Sequence, residues 1–491
     1  MKYQGLPYLS IIHAVKSHAT NQPDKAAVID TDGVLTYSNL YQKAAGTAKN
    51  LVQKGVKAGD YVIVECTQNA DYLVLDLACE AVGAIFVPTE MGVQPKRLSE
   101  LRNETDARVF ISPNEYDVDC EKYTPAQVIA SDCDGGYELP DFTGEEMAEI
   151  LFSTGTTGKP KGIMITQGGN VAVAENIIYG TGMGKDAVEL NPMPISHSHG
   201  LRTCYAHLVN GSTVVVINGV TNVGAFFKMS ETYQVNAFDL APTMAKVLIQ
   251  IGRKGLEKLA GNIEYIELGT AVLDEATKEK LKEIFSNTRI YNFYGSTEAG
   301  RSCILDITKE DFPGCVGYPS KHAQFIITNE KREEIESSKE NVGLVAVKGI
   351  MMTKGYFGSP ELTAKTIVDD CIYTSDLGYF DEKKRLIICG RADDVINYKG
   401  IKISPVEIED VAKQYEGIKD CVCIGKADAV CGQIPVLYVE LYEKDGIVLS
   451  DYRNYLKTHL EAARVPAKVE VLEELPRSSN GKILKAKLRE S

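Results

Sequence analysis

The chain is short of positive charge: 53 Lys and Arg against 67 Asp and Glu give a formal net charge of −14 over 491 residues. Binding to nucleic acid or anionic lipid is driven by Lys and Arg neutralising phosphates, so the balance disfavours both partners. No apolar run approaches the roughly 18 residues a membrane helix needs, and residues 1–10 lack the apolar stretch of a secretory leader. These absences predict a cytoplasmic protein with no integral membrane segment and no nucleic-acid partner. No CxxC occurs among the twelve cysteines, which are spread from Cys66 to Cys431 with Cys421 and Cys423 the one close pair. Structural zinc wants two such pairs or nearby histidines, so the cysteines read as reduced structural thiols. Repeats and low-complexity tracts are missing too, and the terminal LRES is not a peroxisomal address. An anionic substrate must therefore meet a local positive site.

What is present is an ordinary globular composition, 44% hydrophobic and 24% charged, on a chain long enough for two or three domains. Thr36 is placed to cap a helix in which Tyr37, Leu40, Tyr41, Ala44, Ala48 and Leu51 recur at helical spacing. Gly55 to Asp60 turns the chain; Tyr61 to Glu65 reads as a strand, Ala70 to Val82 as a helix, and Ala84 to Val87 as a strand closed by Pro88. A helix near Gly169 to Ile178 and a β-branched strand from Ser212 to Ile217 continue an alternation that predicts a parallel, doubly wound α/β layer. Residues 324–349 read instead as a hairpin with a charged, solvated tip at Lys331 to Glu340. From about Arg391 the charge is denser and the elements shorter, which predicts a separate small α+β domain.

The densest local signal is Ile150 to Ile165, ILFSTGTTGKPKGIMI. Two apolar runs flank ten residues holding three glycines, four hydroxyls and two lysines, so the stretch reads as strand, tight loop, strand. Glycine lets backbone N–H groups approach an anion, the hydroxyls add donors, and Lys159 and Lys161 add charge, which together suit a polyphosphate. It is not a Walker loop: Pro160 follows Lys159 where GxxxxGK[ST] needs a hydroxyl for magnesium, and proline opposes the helix that such a loop enters. For GTTG alone, a Ser/Thr/Gly-rich surface turn is the bland alternative.

STGTTGKPKG resembles the signature loop of the adenylate-forming superfamily, which comprises acyl- and aryl-CoA synthetases, free-standing adenylation domains and firefly-type luciferases. Six further segments resemble that family's motifs in order. PISHSHGL places His197 where the family has a histidine or aromatic beside the acid's carboxylate; a hydrogen-bonded loop histidine is the alternative. IELGTAVL resembles a strand and GGAPL-like turn, so Gly269, Thr270 and Ala271 are expected at the adenine and the acid. In YNFYGSTEAG the resemblance implies ATP contacts from Asn292, Tyr294, Gly295 and Ser296, with Tyr294 stacking on adenine. Thr297 would hold a phosphate oxygen and Glu298 the Mg2+ that accompanies ATP. YTSDLG puts Asp376 on the ribose hydroxyls, with Ser375 replacing a family glycine. GRADDVINYKGIKISPVEIE implies Arg391 at the ribose or phosphate, Asp393 as hinge, and Lys399 and Gly400 in a thiol-acceptor loop; Asn397 stands where some members carry a second reactive lysine. LPRSSNGKILK makes Lys482 the expected catalytic lysine, with His197, Thr297 and Glu298 beside it. From the signature loop itself, Ser153, Thr154, Gly155, Thr156, Thr157, Gly158, Lys159 and Lys161 are the expected phosphate ligands.

The resemblance implies an α/β fold: a large N-terminal domain (1–390) of doubly wound mixed and parallel sheets layered with helices, plus a β-barrel-like subdomain. A hinge at 391–394 and a small, mobile α+β C-terminal domain at 395–491 would follow. The implied reaction is ATP-dependent activation of a small carboxylic acid to acyl-AMP, with Mg2+, then transfer to coenzyme A. A carrier-protein phosphopantetheine is the alternative acceptor, and a non-catalytic nucleotide-binding homologue the alternative from another class. The acid pocket is expected at His197, Asp239 and Thr270, with Arg202 or Arg301 facing a second polar or carboxylate group unless both form structural ion pairs. His197, His199 and His207 together could also be read as a metal cluster, though without a supporting carboxylate or cysteine pattern.

Overall fold

The computed structural model describes residues 2–134, 136–154, 160–270, 273–399, 401–428, 430–443, 446–477 and 483–490. The chain forms two compact units, one of Met1–Phe312, Val316–Phe325 and Val347–Ile372, the other of Pro313–Cys315, Ile326–Ala346 and Tyr373–Ser491.

Local chemistry sets the first unit's elements. The Thr36 hydroxyl accepts from Asn39 N–H and opens the helix Tyr37–Gln53, as expected. Asn69 caps Ala70–Val82 in the same way, and left-handed Gly83 ends it. The next strand runs Ile85–Thr89, through Pro88 rather than stopping before it. Pro88 pairs with Val64 on one side, while on the other the ladder is carried at Phe86 and Glu149, before the ring is reached. The helix Gln167–Thr181 begins earlier than expected because Thr166 caps it and the Tyr3 ring lies against Gly168, where a Cβ would sit 2.6 Å from the ring.

Two sheets organise this unit. One, of seven strands, runs Gly355–Tyr356, Pro160–Thr166, Met147–Thr154, Ile85–Thr89, Tyr61–Glu65, Val109–Ile111 and Glu121–Tyr123. The other has a parallel core of Ala26–Ile29, Thr213–Val216, Val188–Asn191, Ala237–Leu240, Tyr265–Leu268 and Arg289–Ser296. Antiparallel Val34–Thr36 and Gly300–Asp306 flank that core. Parallel strands buried on both faces read as apolar runs, and Thr213–Val216 is buried at every position. The doubly wound α/β expectation is met.

Where a barrel-like part and a hairpin were expected, Ala323–Thr328, Gly343–Gly349, Cys371–Phe380 and Leu386–Arg391 are successive neighbours in one sheet, the last two antiparallel. The C-terminal sheet of the second unit orders as Ile401–Ile403, Ile396–Tyr398, Gly432–Leu441 and Ile418–Asp428, with Lys468–Leu472 parallel to Gly432–Leu441. The helices Pro405–Ala412 and Leu449–His459 cover one face through Ile408, Ala412, Tyr452 and Leu456.

Candidate active site

Open α/β sheets bind ligands beyond the carboxyl ends of their parallel strands. Here those ends carry three of the sequence motifs and one candidate pocket residue: PISHSHGL follows Val188–Asn191, Asp239 lies in Ala237–Leu240, Gly269 and Thr270 follow Tyr265–Leu268, and Thr297 and Glu298 follow Arg289–Ser296. Leu268 pairs with Asn292, so the Gly269 turn and the Tyr294–Glu298 segment leave the sheet side by side.

On either side of residues 155–159 the signature stretch is strand: Met147–Thr154 and Pro160–Thr166 pair antiparallel from Met147 and Thr166 to Thr154 and Pro160. The expected phosphate ligands Gly155, Thr156, Thr157, Gly158 and Lys159, and the side chains of Ser153 and Thr154, lie outside the described residues. Lys161 Nζ is 5.7 Å from the centre of the Tyr356 ring.

A segment that sequence reasoning passed over binds this hairpin to Glu298. Lys354 N–H donates to Met164 O at 3.0 Å and Phe357 N–H to Gly162 O at 2.7 Å, fastening residues 354–357 to the returning strand. Thr353 N–H reaches Glu298 O at 2.7 Å, and the Tyr356 hydroxyl donates to Glu298 Oε1 at 2.8 Å. Burial and the adjacent carboxylate push the Tyr356 phenol above its usual range, so it stays a neutral donor. One Glu298 oxygen is thus held, and among the described residues no donor reaches the other. That fits Mg2+, which takes one or two protein carboxylates and fills its remaining positions with phosphate and water.

Between Arg289–Ser296 and Gly300–Asp306 the chain turns so tightly that a Cβ on Gly295 would lie 1.9 Å from Gly300 O; only glycine fits. That turn presents Thr297 and Glu298 at its tip. Gly269 is equally constrained, since its Cβ would fall 2.5 Å from His199 Cε1. Thr270 follows at φ +73°, a left-handed conformation costly for a β-branched residue and the place where the family motif has glycine. Ala271 lies outside the described residues.

His197 occupies the N-cap position of the helix Ser198–Asn210 without a side-chain cap bond, and its Nε2 is 3.3 Å from Glu90 Oε1; both are partly exposed, and the imidazole holds the Glu90 carboxyl below its usual range. The segment before it is pinned by Gln68, a residue with no motif around it. The Gln68 amide donates to Met193 O at 2.7 Å and Ile217 O at 3.1 Å and accepts from Ile195 N–H at 3.0 Å, from a backbone held at φ +52°.

The two arginines beside the pocket segments are paired internally. Arg202 Nη2 lies 2.5 Å from Glu149 with both side chains buried. Arg301 binds Glu267 and lies 3.3 Å from Asp239, again buried. The structural ion pair, rather than a contact to a second carboxylate, is what each arginine makes. Asp239 itself is fully buried; it accepts from His199 at 2.7 Å and from the Thr203 hydroxyl at 2.6 Å, so it reaches the pocket side through His199. His207 bonds Glu189 and Ser212, each at 2.8 Å, and the three histidines do not converge. Among the described residues no three His, Cys, Asp or Glu side chains gather to hold a metal ion.

In the second unit, Asp376 and Arg391 are register partners on adjacent strands, with Nη1 3.5 Å from Oδ1. Ser375, at φ +63°, explains why the family pattern has glycine there. Arg391 also reaches Asp393 at 3.4 Å. Asp394 receives Lys485 at 2.9 Å and Arg489 at 2.6 Å. Lys399, at φ +50°, donates its N–H to Cys431 O at 2.9 Å. Gly400 and Lys482 lie outside the described residues.

The family model for AMP-binding enzymes matches residues 15–357, and the model for the AMP-binding enzyme C-terminal domain matches residues 407–482. The chain is an AMP-binding enzyme. Among curated relatives of this AMP-binding enzyme, 2-succinylbenzoate–CoA ligase of Bacillus cereus (strain Q1) is 26% identical over 474 residues, covering 95% of this chain and 96% of that one. Its fold matches ATP-bound MatB from Rhodopseudomonas palustris with a TM-score of 0.89 at 23% identity, over 98% of each chain. It also matches o-succinylbenzoate CoA synthetase from Bacillus subtilis, solved with the acyl-adenylate intermediate OSB-AMP, with a TM-score of 0.84 at 22% identity over 97% of this chain and 98% of that one. No helix among the described residues is long and apolar enough to cross a membrane.

Proposed function

We propose that this AMP-binding enzyme is a cytoplasmic acid–CoA ligase that joins a small carboxylic acid to coenzyme A through an acyl-adenylate. The observation that carries the reading is the fastening of residues 353–357 to both the signature hairpin and Glu298, with the Gly269–Thr270 turn following the strand next to the one that leads to Glu298. The resemblance of nearly the whole chain to CoA ligases supports it.

A carboxylate is a weak nucleophile and must approach an anionic triphosphate, so the work is charge neutralisation and alignment. The acid's oxygen attacks the α-phosphorus, pyrophosphate leaves, and the mixed anhydride acyl-AMP forms. Lys161 and Lys159 on the signature hairpin, with Lys482, stabilise the charge building on the phosphates. Mg2+ held at Glu298 would supply further neutralisation there. Tyr294 and Asn292 face the adenine side, Asp376 accepts the ribose hydroxyls, and Arg391 holds Asp376 and a ribose or phosphate oxygen. The thiol sulfur of coenzyme A then attacks the acyl carbon and AMP departs with the bonding pair. Residues 1–390 form the acid- and AMP-binding domain, 391–394 the hinge and 395–491 the mobile domain. Turning about Asp393 exchanges Lys482 for the Lys399–Gly400 loop.

The test is ATP-dependent pyrophosphate release over aliphatic, aryl, hydroxy, amino and dicarboxylic acids, each with and without CoA. Release that CoA accelerates, yielding AMP and a thioester, is the expected result. Release that stops near one equivalent with CoA inert would assign a carrier-protein phosphopantetheine as acceptor instead. No release with any acid would refute the ligase reading.

A further inference from the structure

His199 precedes the glycine of PISHSHGL, is only 13% exposed in its side chain, and has no role in the reaction as described above. Its Nε2 lies 2.7 Å from Asp239 Oδ1. The other Asp239 oxygen takes the Thr203 hydroxyl at 2.6 Å and an Arg301 N–H at 3.3 Å. A carboxylate with both oxygens accepting, one of them from a guanidinium, has no proton to give, so the imidazole proton sits on Nε2. Burial raises the Asp239 carboxyl, but His199 and Arg301 more than offset it; burial and then Arg301 lower His199, so the ring is neutral. Nδ1 is therefore a bare lone pair, and among the described residues no group donates to it. The ring edge carrying Nδ1 and Cε1 lies against the Gly269–Thr270 turn, where a Cβ on Gly269 would be 3.1 Å from Nδ1 and 2.5 Å from Cε1.

We infer that His199 Nδ1 is a fixed hydrogen-bond acceptor in the wall of the acid pocket, and that it selects a carboxylic acid bearing a hydroxyl or amino donor. The inference rests on the ligase reading and on the Gly269–Thr270 turn lining the acid site. Asp239 fixes the tautomer from behind and Arg301 fixes Asp239, so the acceptor cannot reverse its role when substrate arrives. An acid without a donor buries the lone pair unpaired, whereas one with a donor satisfies it. A second carboxylate at this wall meets a lone pair with Asp239 behind it, and neither Arg202 nor Arg301 is free to receive it. The pocket wall thus differs from one built for a dicarboxylic acid.

The test is ATP–pyrophosphate exchange with matched acids: benzoate, its hydroxy and amino forms, and benzene-1,2-dicarboxylate, together with butanoate and 3-hydroxybutanoate. Wild-type enzyme is expected to favour the best donor-bearing acid over its parent by about tenfold or more in kcat/KM. His199→Phe should bring that ratio close to one. His199→Gln can donate its amide N–H to Asp239 and keep an acceptor oxygen toward the pocket, so it should retain the preference and also covers the case in which His199→Phe does not fold. Exchange confined to plain acids or dicarboxylates, or a donor preference that a folded His199→Phe leaves intact, overturns the inference and leaves the ligase reading standing. Exchange with no acid at all removes the ligase reading and the inference with it.

Discussion

Replacing Tyr356 by phenylalanine removes one oxygen atom from the assembly that holds Glu298. The ring, 6% exposed and packed with Ile163, Ile165 and Leu362, is kept, so the change acts on the carboxylate rather than on the core. A hydrogen bond from a neutral donor to a charged acceptor is worth about 1.5–3 kcal/mol. Glu298 is half-buried, which puts the loss at the lower end. A glutamate at a turn tip that regains its rotamers costs up to about 2 kcal/mol to reposition, which points to the same magnitude. About 1.5 kcal/mol is a tenfold effect. We therefore expect the Mg2+ concentration that half-saturates pyrophosphate release to rise about tenfold in Tyr356→Phe, with thermal stability nearly unchanged. Because the phenol's pKa is raised, the difference between the two enzymes should be flat from neutral to mildly alkaline pH. A folded variant whose Mg2+ requirement stays within about twofold of wild type would show that Tyr356 does not orient Glu298.

Three further outcomes are expected. Thr270→Gly relieves a left-handed β-branched residue, so chemical denaturation should show a gain of up to about 1 kcal/mol, while the KM for the acid rises if the threonine lines its pocket. Burial pushes the Glu80 carboxyl up to about 7 from 4.5, despite its bonds from Ile12 and Ile11 N–H. The folded state then binds the extra proton, so stability falls as pH rises from 4.5 to about 7 and levels off above it. Glu80→Gln should remove a pH-dependent difference of roughly 3 kcal/mol across that window, and parallel denaturation curves for the two proteins would refute the assignment. Asp393→Pro should spare adenylate formation and block thioester formation; equal loss of both would count against the hinge.

Elements with local chemical boundaries were legible in the sequence. Thr36 and the apolar positions behind it mark the helix Tyr37–Gln53, and Tyr61–Glu65 is a strand as its β-branched run implies. Registry was not legible. Asp239 lies opposite Glu267 only because Ala237–Leu240 and Tyr265–Leu268 pair in one register, and that register delivers two buried carboxylates to Arg301. A one-residue slip would have put the two carboxylates on opposite faces, and no composition or spacing reports which register wins. Arg202 meets Glu149 by the same kind of long-range placement. Gln68 and Tyr356 were missed because a single glutamine or tyrosine carries no pattern; a non-glycine residue in left-handed conformation was the structural sign at Gln68.

The fastening around Asp394 has a mechanical meaning. Arg477 and Ile483 form an antiparallel bridge on either side of residues 478–482, and Leu484 N–H donates to Pro476 O at 2.7 Å. Immediately beyond, Lys485 and Arg489 bolt the last helix to Asp394, the residue next to the proposed pivot. In the proposed function, where Asp393 is the axle, the last helix is the shaft of a crank, fixed at the neighbouring residue. Lys485 and Arg489 would then follow the turning of the axle with little slack. On that proposal, loosening either bolt would leave the turn intact but let the last helix lag behind it, so the two proposed half-reactions would lose their timing before either lost its chemistry.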